Sequence, residues 1–169
     1  VARSCDVSNR DKMLLLLEEC AEVLPPIKGV VHAATVINDS LAANLSSEQI
    51  RDVLGPKVSG AWNLHELTNN LDFFVLFSSA TTLFGNPGQA SYVAANHWLE
   101  ALAAHRHNID ESITCVRWGP IDDNGFLARN PDIKDALLKR MGGSALSSET
   151  ALCALEKIIL SRSSTLGVM

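Results

Sequence analysis

Residues 27–34 read IKGVVHAA, residues 72–78 DFFVLFS and residues 112–118 SITCVRW. The first is a nearly continuous apolar run bounded by turn signals, the pattern of a strand buried on both faces, and the other two read as further strands. Outward from these runs the period becomes helical. Ser8 can cap a helix with Asp11 in its first turn and Met13, Leu16, Leu17 and Cys20 at 3.6-residue spacing, stopped by Pro25 and Pro26. Ser46 and Gln49 fit a capping box that opens a helical region to about Thr68, with a break at Gly55-Pro56. Residues 89–107 form an Ala-rich helix, and helices over 132–140 and 148–160 are separated by Gly142-Gly143. Residues 1–7 read as the end of a strand and residues 167–169 as the start of another. Strands alternating with helices predict an α/β fold with an open parallel sheet. Such a sheet binds ligands beyond the carboxyl ends of its strands.

Composition narrows the function. The 169 residues suit a single domain, 1–169, and a hydrophobic fraction of 47% with 20% charged residues excludes a disordered chain. The longest apolar runs, residues 13–17 and 73–77, are far short of the ~20 residues that span a bilayer, so no membrane partner is expected. A net charge of -5 without a Lys/Arg cluster argues against nucleic acid. Cys5, Cys20, Cys115 and Cys153 form no C-x-x-C pair, which predicts free thiols and a cytoplasmic setting. His105 and His107 stand two apart on a helix and diverge by about 200°, so no metal site is predicted. Val1 is not an initiator Met, and no glycine precedes Gly29. The chain is therefore expected to be part of a longer domain, lacking a Gly-rich phosphate turn.

Three strand ends should open on one edge of the sheet: Ala33-Ala34-Thr35, Ser78-Ser79 and Gly119-Pro120. Tyr92, the single tyrosine, follows thirteen residues after Ser79, with Asn96 one helical turn later on the same face. With Lys57 as the cation, this group can donate a proton to a carbonyl oxygen. A phenol is a weak acid, with a pKa near 10, and a neighbouring ammonium lowers it. Ser79 would hold the carbonyl, while Asn96 could hold Lys57 or a water. None of the four supplies electrons, so a reduction needs a bound hydride donor. The same residues also fit a plain reading, with Tyr92 at a core rim, the serines capping a turn and Lys57 in solvent. Spacing leaves both open.

At these residues the sequence resembles the ketoreductase domain of polyketide synthases, a branch of the short-chain dehydrogenase/reductases. CDVS (5–8), PPIKGVVHAA (25–34), PKVSGAWNLHEL (56–67), DFFVLFSS (72–79), GNPGQASYVAAN (85–96) and VRWGP (116–120) carry the resemblance over nearly the whole chain. PPIKGVVHAA and NLHEL are most similar to reducing synthases of filamentous fungi. The resemblance implies a Rossmann-like, doubly wound parallel sheet with helices on both faces, incomplete at the N-terminus and at the C-terminus. It implies catalytic roles for Tyr92, Ser79, Lys57 and Asn96, the lysine and asparagine having exchanged the sequence positions they hold in ordinary short-chain dehydrogenases. It places Asp6 and Val7 against the adenine of NADPH, Ala33, Ala34 and Thr35 beside its ribose and nicotinamide, and Gly119 and Pro120 next to the nicotinamide.

The implied reaction reduces a β-ketoacyl thioester presented by an acyl carrier protein, with other polyketide synthase domains as partners and residues 121–141 as a lid. Thr35 stands where the family commonly has Gly. Ile37-Asn38-Asp39 occupies the place of a Leu-Asp-Asp motif that marks one stereochemical class, and Phe84 that of a Trp in the other. Without the Gly-rich turn, the chain alone is expected to bind NADPH poorly. Two other readings are a non-catalytic docking module and a stand-alone dehydrogenase acting on a free ketone.

Overall fold

The computed structural model describes residues 2–108, 112–141, 145–161 and 163–169. Their four strands, β1 (Gly29–His32), β2 (Phe73–Ser79), β3 (Thr114–Trp118) and β4 (Thr165–Val168), form one parallel sheet in the order β1-β2-β3-β4. Alternation along the strands divides the apolar residues between two cores. Phe74, Leu76 and Cys115 face α1 (Arg10–Val23), α3 (Gly60–Leu67) and α5 (Ala90–Asn108), through Met13, Ala61, Leu64, Leu99, Leu102 and Ala103. Val75, Val116 and Trp118 face the other way, onto Ala151 and Ile158 of α8 (Ser148–Ser161). β2 and β3 are thus covered on both sides, which is why each strand carries apolar residues on both faces. The strand order advances in one direction while the crossovers change face between α5 and α8. The last crossover consequently has the opposite hand to the first two, a departure from the usual uniform hand.

The local expectations meet the structure with several corrections. On α1 the positions withdrawn from solvent are Met13, Leu16, Leu17 and Cys20, as the spacing predicts, but its cap is Asn9, whose side chain accepts from the Lys12 N–H. Ser8 is engaged instead by the Asp6 carboxylate, which accepts from both its N–H (3.0 Å) and its hydroxyl (2.7 Å). That turn, with no strand alongside, leaves residues 2–7 outside the sheet, so the predicted N-terminal strand is not formed. The C-terminal strand is longer than expected and begins at Thr165. Gly142 and Gly143 lie outside the described residues.

The expected break at Gly55-Pro56 is no break. α2 (Ser47–Leu54), opened by the Ser46–Gln49 capping box, runs directly through a π-wound turn, Gly55–Ser59, into α3. Pro56 has no N–H to give to the helical ladder, and widening the turn absorbs that loss without ending the helix. The bulge also re-aims one side chain: Lys57, at its centre, is buried with 3% exposure. Gly60, at the start of α3, lies so close to Val7 and His32 that a Cβ would meet Val7 at 2.8 Å.

His32 is buried beside this turn. Burial, then the Lys57 charge, push its pKa down from 6.5 to about 4. The folded state therefore keeps the ring neutral where the unfolded chain would protonate it, and stability is lost as pH falls between those values. Urea unfolding at pH 5 and 7.5 is expected to show a decrease on the order of 2 kcal/mol at the lower pH from this group. His32→Asn should flatten that slope.

Candidate active site

The carboxyl ends of β2 and β3 and the first turns of α5 enclose a cavity of about 480 Å³. Its polar wall contains Ser78, Ser79, Asn86, Gln89 and Tyr92, with Thr35 after β1 and Gly119-Pro120 after β3. Facing it are Phe126 and Leu127 of α6 (Gly125–Ala128) and Ile133, Ala136 and Leu137 of α7 (Pro131–Met141). The 133, 136, 137 spacing is one helix face, so α7 presents an apolar stripe to the cavity. Lys134 pairs with Asp122 at 3.8 Å, and Arg140 donates to Asn86 Oδ1 at 3.3 Å, linking α7 to the opposite wall.

Of the residues singled out in the sequence, Ser79 and Tyr92 line this cavity, while Lys57 and Asn96 are buried against Tyr92 without lining it. Lys57 reaches in from the π turn: its Nζ lies 5.5 Å from the Tyr92 ring centroid and donates to the Phe77 carbonyl at 2.8 Å. Burial pushes the Lys57 pKa down to about 8. Ser79, at the end of β2, accepts from the Thr81 N–H (3.2 Å) and the Thr81 hydroxyl (2.9 Å). With two donors pointing at its oxygen, the Ser79 hydroxyl keeps its own proton to donate. Asn96 is fully buried; its Nδ2 donates to the Tyr92 carbonyl at 2.9 Å and its Oδ1 has no hydrogen-bond partner among the described residues.

Two expectations change here. Asn96 does not hold Lys57; the Phe77 carbonyl does, because the π turn carries the ammonium to the end of β2. The Tyr92 pKa is raised rather than lowered. Burial is the largest influence, Ser79 and Asn96 pull it down by less, and Asp39 pushes it further up. Lys57 Nζ sits over the ring, 5.5 Å from its centroid. A phenol in this setting stays protonated at neutral pH.

Thr35, Gly119 and Pro120 belong to the same cavity, whereas Asp6 and Val7 do not line it. Asp6 is exposed, and Val7 packs against Gly60 while its carbonyl accepts from Asn63 Nδ2 at 2.9 Å. Ala33 is exposed and Ala34 half-buried where the chain leaves β1. Gly119 has no room for a side chain: a Cβ would stand 3.1 Å from the Val168 carbonyl oxygen. Asp39 accepts from Gln89 Nε2 at 2.9 Å and thereby touches the cavity wall, while Phe84 points into solvent at 45% exposure. Gln89 and Trp118 carry no motif that spacing could reveal. Gln89 joins the site on the loop that leads from β2 into α5, and Trp118 as the last residue of β3.

Residues 1–123 match the sequence profile described as the KR domain. The chain is 39% identical over 92% of its length to the phenolphthiocerol synthesis polyketide synthase type I Pks15/1 of Mycobacterium marinum, and 39% identical over 95% to the reducing polyketide synthase PKS1 of Cochliobolus heterostrophus. It spans only 8% and 6% of those two proteins. A bacterial and a fungal relative thus stand at equal identity. The crystal structure of a ketoreductase domain from the bacillaene assembly line superposes with a TM-score of 0.91 at 32% identity, covering 100% of this chain and 42% of that one.

Proposed function

Since this chain belongs to the KR domain family, the ketoreductase domains of polyketide synthases, we propose that it carries the proton-donating site for NADPH-dependent reduction of a β-ketoacyl thioester on an acyl carrier protein. The observation that carries this reading is that Ser79 and Tyr92, the latter backed by Lys57, line a cavity whose other wall is apolar. Polar donors suit a carbonyl and the apolar wall suits an acyl chain. The other synthase domains that accompany this one in its relatives are the further partners of the reading.

The strand ends suit the cofactor. Ala33 and Ala34, small residues where the chain leaves β1, lead to Thr35, which lines the cavity with Gly119, Pro120 and Tyr92, Lys57 lying behind the Tyr92 ring, and these are the residues that would hold the cofactor. When bound, NADPH supplies the hydride that reaches the β-carbon. The chain's own residues manage the oxygen. The Ser79 hydroxyl donates to the carbonyl and fixes its direction. Tyr92 Oη gives its proton to that oxygen as negative charge builds on it, so the product leaves as a neutral alcohol and the phenolate remains. The high Tyr92 pKa keeps the proton available, and the Lys57 ammonium offsets the charge of the phenolate left behind. Residues 121–141, which include α6 and α7, close the acyl side as a lid.

Tyr92→Phe in the intact domain should lower kcat roughly 10²-fold or more, with NADPH affinity retained, measured as NADPH oxidation with a β-keto thioester. Unchanged kcat would remove Tyr92 from the mechanism. The Lys57 charge is present below its pKa of about 8 and lost above it, so turnover should decline as pH rises through that value. Lys57→Met should abolish this alkaline limb, and a limb that persists in the variant would assign it to another group.

A further inference from the structure

Two turns beyond Tyr92 on α5 lies a carboxylate for which the reaction above has no use. Glu100 is only 8% exposed, on a helix whose buried positions also include Asn96, Leu99, Leu102 and Ala103. Its two oxygens have different partners: Oε1 accepts from the Ser78 hydroxyl at 2.9 Å and Oε2 from Arg117 Nη2 at 2.6 Å. Ser78 and Arg117 are register partners on β2 and β3. One carboxylate therefore ties α5 to two strands on the same rung, one residue before Ser79 and Trp118.

We propose that Glu100 is a positioning residue, clamping α5 to the ends of β2 and β3 so that Tyr92 is held in register with Ser79. The inference rests on the ketoreduction reading above for its consequence, but not for its geometry. Positions 92, 96 and 100 repeat every four residues, so Tyr92, Asn96 and Glu100 share one face, about 12 Å from end to end. Sliding or rolling of α5 relative to β2 would separate Tyr92 from Ser79, and displacements near 1 Å are costly to proton transfer. Apolar contacts of Leu99, Leu102 and Ala103 are tolerant of such sliding. Two charge-assisted hydrogen bonds with fixed directions are not. Burying an ion pair contributes little net stability, so its value lies in geometry rather than in holding the domain folded.

The charged surroundings are compact. Glu100 faces Arg117 from β3 and, at 3.7 Å, His97 Nδ1 from its own helix; Cys115 lies nearby with its pKa pushed up to about 12, chiefly by burial. Tyr92 faces Lys57 and Asp39. These neighbours allow the clamp to be separated from a through-space charge effect. Loosening α5 by removing either partner admits water and brings the Tyr92 pKa down toward 10. A charge effect acts in opposite senses, since losing the Glu100 anion lowers the phenol pKa and losing the Arg117 cation raises it.

The test uses the intact ketoreductase labelled with [13C]tyrosine, the Tyr92 resonance being assigned by its loss in Tyr92→Phe. Glu100→Gln and Arg117→Met are each expected to lower the Tyr92 titration midpoint, and to reduce kcat by about tenfold with KM for the thioester within twofold. Opposite shifts in the two variants, or no shift with kcat within twofold of the parent, would overturn the clamp. If Glu100→Gln fails to fold, Arg117→Met carries the same reading alone, because that side chain is 27% exposed and its removal opens little of the core. A parent protein that titrates as described but does not reduce the thioester would overturn the functional reading and leave the clamp supported.

Discussion

Burial of β2 and β3 on both faces is the constraint from which the rest of this structure follows. With Phe74, Leu76 and Cys115 turned to one layer of helices and Val75, Val116 and Trp118 to the other, neither strand can shift by one residue without reversing its apolar faces. Parallel strands pinned in this way bring their carboxyl ends to a common edge. Ser79 and Gly119-Pro120 meet there although forty residues of sequence separate them, and the long crossover helix between them passes Tyr92 and Asn96 over that edge. Strand burial is thus the origin of the site as well as of the core.

The same burial determines protonation. Lys57, drawn inward by the π turn, has its pKa lowered, while Tyr92 has its pKa raised by the loss of water around it. Each shift disfavours the charged form. The phenol consequently rests as an acid, and the ammonium titrates close to physiological pH. On the proposed reading, this site releases a proton to an oxygen that is gaining charge, and the Lys57 ammonium offsets the phenolate that remains. Ser79 completes it because Thr81 occupies its acceptor positions and leaves its hydroxyl proton free.

Much of the architecture was legible because periodicity reports burial. The runs at 27–34, 72–78 and 112–118 each contain a strand, and the positions predicted to face inward on α1 are those withdrawn from solvent. Failures occurred where a local signal had a tertiary competitor. Residues 1–7 read as the end of a strand, but residues 2–7 pair with no strand among the described residues, and Asp6 ties Ser8 into a turn. Gly55-Pro56 reads as a stop, yet packing on both sides keeps the helix continuous and converts the missing hydrogen bond into a π bulge. Gln89, Trp118 and the α7 stripe entered the cavity wall through the fold alone.

By itself the sequence determined the strand and helix pattern, the parallel α/β class and the candidates Lys57, Ser79, Tyr92 and Asn96, because these depend on residue type and spacing along the chain. Tertiary structure decided which of those groups touch, what charge they carry and which partner holds each one. Lys57 is held by the Phe77 carbonyl, and burial raises the Tyr92 pKa where a neighbouring ammonium was expected to lower it. The reason is physical: hydrogen-bond partners and desolvation are properties of neighbours in space, and no spacing along a chain records them.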